Sequence, residues 1–113
     1  MKEFDLEKRT FLFAQAIRTF IKELPKTITS FEDAKQLVRS SGSVGANYIE
    51  ANEALSKKDF LMRIKICRKE AKESIYWLQL IEIPEHLLEK KKQLIAECTE
   101  LLKIFSAIVS KSS

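Results

Sequence analysis

Few residues of this chain have the types and spacing that chemistry needs. His86 is the single histidine and stands between Glu85 and Glu89, where an exposed position is expected. No second histidine or suitably spaced cysteine accompanies it, so a zinc site is not expected. Cys67 and Cys98 lie far apart in sequence and read as free, core-filling thiols of a reducing compartment. Glu70 and Glu73 have the i, i+3 spacing of carboxylates that bridge metals between helices, but the Glu-x-x-His partner is missing. Ion pairs with Lys69 or Arg39 account for them more simply. Gly42 and Gly45 are followed by Ala46-Asn47-Tyr48 with no lysine, so neither phosphate-cradling glycine motif is present. These residues predict no catalysis, no metal and no cofactor.

Cations carry a clearer pattern. Lys58, Lys65, Arg68, Lys69 and Lys72 share one sector of a helix. Residues 57 to 83 hold seven cations and four acids, whereas residues 27 to 56 hold two cations and four acids. Like charges such as Lys65 and Lys69, or Arg68 and Lys72, repel by ~0.2–0.5 kcal/mol at i, i+4. A stripe that tolerates this repulsion suits a polyanion, RNA or DNA, bound without sequence preference and weakened by salt. The alternative is a solvated lysine face on a protein whose net charge is only +4. Association of subunits would repeat the stripe and multiply its charge.

The elements that position these residues are helices. The 113 residues suit one domain, and 45% hydrophobic with 32% charged residues permits a buried core in a soluble chain. Two glycines, two prolines and no alternating β-branched run point to an all-α protein with short loops. The first helix runs from about residue 5 to 24, with Phe13, Ile17, Phe20 or Ile21, and Leu24 on its stripe, and Pro25 stops it. Ser30 is the expected N-cap of the second, from about 31 to 55, with Glu32 and Asp33 in its first turn. Ser56, with Asp59 three residues on, caps the third, about 57 to 82. Pro84 begins the fourth, about 84 to 110, whose apolar seam is broken only by Lys91. Loops this short force an antiparallel up-down four-helix bundle, 1–113 as a single domain, with Lys111-Ser112-Ser113 as a disordered tail. The opening MKEFDLEKRTF lacks an apolar signal core, and no window reaches the ~18 apolar residues of a membrane span. A cytoplasmic protein with no membrane partner is expected.

Two helices carry more contact-seeking surface than one core requires. On the second, Leu37, Ser41, Val44, Tyr48, Ala51 and Leu55 share the inner face, flanked by Ala34 and Gly45. Ser41 and Gly45, at i and i+4, let a neighbouring backbone approach, which explains small residues in mid-helix despite a propensity cost of ~0.5–1 kcal/mol each. The opposite face holds Arg39, Ser43, Ala46, Asn47 and Glu50. It reads either as solvated or as a polar network against another helix or subunit. Arg39 and Glu50 are about three turns apart, too far to pair with each other. On the third helix, Phe60, Ile64, Cys67, Ala71, Ile75 and Leu78 form the core stripe, while Met62, Ile66, Trp77 and Leu80 form a second apolar arc around Glu73. A helix apolar on two sides is usually buried on two sides. Tyr76 and Trp77 are also types enriched at interface hot spots. Self-association through this arc is expected; the alternatives are that a splayed bundle buries the arc internally or that it is a scatter of exposed hydrophobes.

The run Arg39-Ser40-Ser41-Gly42-Ser43-Val44-Gly45-Ala46-Asn47-Tyr48-Ile49-Glu50-Ala51, then Ser56, Asp59-Phe60, Lys69-Glu70-Ala71, Glu73 and Tyr76-Trp77-Leu78, closely resembles the small bacterial 23S rRNA intervening-sequence proteins. The resemblance spans nearly the whole chain. It implies a four-helix bundle assembled as a homopentameric barrel, and a relation to inserts in large-subunit rRNA genes. A related branch comprises the accessory variability proteins of diversity-generating retroelements, whose basic pentamers accompany nucleic acid and a reverse transcriptase. It further implies that Arg39, Ser43, Asn47 and Glu50, with Lys69, Glu70, Glu73 and Trp77, make polar and aromatic contacts between helices or subunits. The family supplies no catalytic residues. A protein-binding scaffold that never touches nucleic acid is the rival expectation.

Overall fold

Side-chain oxygens set where the helices begin. In a computed structural model describing residues 5–112, Asp5 accepts from the Lys8 amide at 3.1 Å and opens α1, Leu6–Lys22. Thr27 accepts from the Ser30 amide at 3.1 Å and opens α2, Ile28–Asn52. Ser56 accepts from the Asp59 amide at 3.1 Å and opens α3, Lys57–Leu80. Each is in extended backbone with its oxygen over the first turn, which satisfies a donor that the helix itself cannot. A single 3-10 turn, Glu85–Leu87, leads into α4, Leu88–Ser112.

Several expected boundaries move. Thr27, not Ser30, caps α2, because Ser30 lies on the inward face and is buried. The helix gains three residues, and Ile28 and Phe31 become exposed surface. α2 also stops at Asn52, and Leu55, expected on the inner face, is 98% exposed in the turn before Ser56. Pro84 precedes the 3-10 turn and accepts from the Leu87 amide at 3.0 Å, so α4 starts four residues later than expected. Lys111 and Ser112 are helical, not a tail. Ser113 and the N-terminal residues 1–4 lie outside the described residues.

The four helices run up and down in chain order. The core joins Phe13, Ile17 and Phe20 of α1, Leu37 and Val44 of α2, Ile64, Cys67, Ala71 and Leu78 of α3, and Cys98, Leu101 and Phe105 of α4. Tyr48 sits beside Phe105, ring centroids 6.0 Å apart. The expected close approach at α2 is to α1: a Cβ placed on Gly45 would lie 2.9 Å from Thr10 Oγ1. Thr10 is buried, its hydroxyl donating to the Leu6 carbonyl at 2.8 Å. Lys91 interrupts the apolar seam for a reason: its ammonium donates to the carbonyls of Gln79 at 3.1 Å and Ile81 at 3.0 Å. It thereby closes the C-terminus of α3, where a cation is favoured.

The seams are unequal. α2 packs most extensively on α3, then α3 on α4 and α1 on α2, while α1 and α4 make the thinnest seam. That seam is a shallow groove of about 400 Å³ bordered by Leu12, Phe13, Ala16 and Leu94. Arg9 grips Glu97 with two bonds of 2.8 and 2.9 Å at one end, and Lys90 meets Glu23 at 3.3 Å at the other. The Glu97 carboxylate raises the Arg9 guanidinium above its ordinary pKa.

Candidate nucleic-acid interface

α3 separates its charges. Lys58, Lys65, Lys69 and Lys72 are exposed and Arg68 is half-buried, all on the side of the helix turned from the core. Lys69 alone among these five meets a carboxylate, Glu70 Oε2 at 3.7 Å; no ion pair engages the other four among the described residues. Two acids of the same helix, Glu70 and Glu73, are engaged from α2. Arg39 reaches from α2 and donates through Nη1 to Glu70 at 3.2 Å and through Nη2 to Glu73 at 2.6 Å. Glu70 is only 5% exposed, so this guanidinium compensates a carboxylate withdrawn from water.

The polar face of α2 is therefore set against α3 of the same chain. The Asn47 side-chain amide donates to the Ser43 carbonyl at 2.9 Å and to its hydroxyl at 3.0 Å, while Arg63 donates to the Asn47 side-chain oxygen Oδ1 at 3.0 Å. Deeper in the seam, Ser40 and Ser74 hydroxyls meet at 2.9 Å, and Ser74 donates to the Glu70 carbonyl. Arg63, Ser40 and Ser74 were not singled out from the sequence. Arg63 sits one turn before Cys67 among apolar neighbours, and that placement was the available signal. The Glu50 side chain stays exposed and joins no hydrogen bond or ion pair among the described residues.

The second apolar arc divides. Ile66 and Trp77 are partly buried, with Trp77 packed against the core. Met62 and Leu80 remain about half exposed, at 47% and 49%. They stand near opposite ends of α3, with Lys69 and Glu73 between them, so they do not form one continuous patch. Tyr76 is 57% exposed and rests edge-on against Trp77, centroids 5.0 Å apart. A larger apolar surface lies elsewhere, in a groove of about 970 Å³ where α1 ends and α2 begins. Ile21, Leu24, Ile28, Phe31 and Val38 line it, and Lys22, Lys26 and Lys35 rim it.

No cluster of three metal-ligating side chains occurs among the described residues. Burial pushes the Cys67 and Cys98 thiols up to about 12, which keeps both protonated and poorly nucleophilic at neutral pH. Cys98 instead donates to the Ala71 carbonyl at 3.1 Å, and His86 is exposed. No helix among the described residues is long and apolar enough to cross a membrane.

These features define an all-α, up-down four-helix bundle with a cationic outer face and a polar α2–α3 seam. The 23S rRNA-intervening sequence protein family model matches residues 2–107, and the chain belongs to that family. Among solved structures it is similar to a protein of unknown function from the S23 ribosomal protein family of Bacteroides thetaiotaomicron, at 33% identity and a TM-score of 0.82. That match covers 93% of this chain and 98% of the other. A search of curated proteins returns no match.

Proposed function

We propose that this chain is a non-enzymatic, self-associating bundle of the cytoplasm that binds RNA or DNA through the cationic face of α3. The observation that carries the reading is the sorting of charge on that helix. Arg39 holds Glu70 and Glu73 toward α2, leaving Lys58, Lys65 and Lys72 on the outer face without a carboxylate partner. Internal pairing would have spent these cations; exposed and unpaired, they suit phosphates. Assembly as a homopentamer, which the family resemblance implies, would place five such faces on one particle. Half-exposed Met62 and Leu80 and the Ile28–Phe31 groove supply apolar surface for it.

A salt titration of binding to unrelated RNA and DNA fragments tests this. Affinity should fall steeply with salt, and Lys65→Glu, Lys69→Glu and Lys72→Glu combined should abolish it; neutralising three phosphates of a single strand corresponds to about 2 in the log–log salt slope. Light scattering should give a multimer for wild type and a smaller particle for Leu80→Asp, at a half-exposed position; a monomeric wild type overturns the assembly. The groove favours a second reading, a scaffold for another protein such as a reverse transcriptase. Absence of nucleic-acid binding at low salt leaves that reading ahead.

A further inference from the structure

Resting on the nucleic-acid reading above, we infer that Tyr76 is a stacking platform for an unpaired base, so that the strand held on α3 is single-stranded RNA or DNA. Tyr76 stands one turn beyond Lys72 and two beyond Lys69, on the same outer sector as the cations. Its ring is 57% exposed, and Trp77, itself packed on the core, braces it edge-to-face at 79°. The braced ring loses little freedom when a base settles on it. Its hydroxyl makes no hydrogen bond among the described residues, so no internal partner accounts for its position. Glu73, the nearest acid on the preceding turn, is held toward Arg39 at 2.6 Å and does not confront a phosphate there.

Lys65, Lys69, Lys72 and Tyr76 follow one another at three or four residues along one sector of α3, so a strand whose phosphates meet the lysines brings a neighbouring base to the ring. An extruded base then finds a flat aromatic face, the mode by which non-specific single-strand binders gain affinity. A duplex keeps its base faces covered and offers Tyr76 only backbone.

The test compares fluorescently labelled oligo-uridine, oligo-thymidine and a double-stranded RNA of equal phosphate number, with wild type, Tyr76→Ala and Tyr76→Phe. Tyr76→Ala should weaken binding of both single strands about fivefold to a hundredfold, with the salt slope unchanged. Tyr76→Phe should bind as wild type, and duplex binding should be equal for all three proteins. Because Tyr76 is exposed, circular dichroism should show the same fold throughout. Unchanged single-strand affinity in Tyr76→Ala, alongside salt-sensitive binding by wild type, overturns the platform and leaves the cationic face standing. Wild type that binds none of the three overturns both. Unequal affinity for the two single strands assigns RNA or DNA as the source and still supports the platform.

Discussion

At the scale of single residues, the two glycines look equivalent in sequence and are opposite in consequence. A methyl on Gly45 would meet Thr10 Oγ1 at 2.9 Å and Thr10 Cβ at 3.3 Å, in a buried seam. At Gly42 the nearest atom is 3.3 Å away but is the tip of Arg18, which can swing into solvent. Gly45→Ala should therefore destabilise by about 1–3 kcal/mol despite its better helix propensity. Gly42→Ala should stabilise by up to ~1 kcal/mol. Urea denaturation of both variants checks this; loss of stability in neither would mean that α1 and α2 are not held so closely. The need for small residues here was legible from the wheel. So was the impossibility of an Arg39–Glu50 pair. Which acids Arg39 would hold was not fixed, because the wheel of one helix does not specify the rotation of its neighbour.

At the scale of elements, Ser56 with Asp59 was readable because cap and first-turn acid stand together. Thr27 and Ser30 both carry capping oxygens, and local chemistry favoured Ser30, with acids just after it. Burial decided otherwise: the inward face of α2 includes Ser30, which therefore belongs to the helix body. The same shift exposed Ile28 and Phe31, and the groove they line was invisible to a reading that began α2 at residue 31. Lys91 illustrates the other kind of misfit. A cation on an apolar seam reads as a flaw until the α3 carbonyls it caps come into view. Lys91→Met keeps the stem's packing and removes both donations, so it should cost about 1–2 kcal/mol. Exposed Lys92→Met should stay within ~0.5 kcal/mol. Thermal denaturation distinguishes them, and equal effects would refute the cap.

At the scale of the whole molecule, helix number, order and antiparallel direction were legible, since periodicity and short loops leave little choice. The distribution of apolar surface was not: of the four arc residues Trp77 packs against the core and Ile66 is partly buried, and a groove appeared where α1 ends and α2 begins. The thin α1–α4 seam has its own consequence. Three sides of the barrel are glued by interlocking side chains, whereas the fourth is latched by Arg9–Glu97 and Glu23–Lys90 over a shallow furrow. Ions screen such latches and leave hydrophobic glue intact or stronger. The first helix is then the door of the molecule. Its amides should exchange with heavy water sooner than those of α2 and α3, and sooner still in concentrated sodium chloride. Uniform protection across all four helices in a mass-spectrometric exchange series would show that the door does not open. When it swings, the sheltered rings of Phe13 and Phe20 briefly meet solvent, which marks the first helix as the place where aggregation begins on warming.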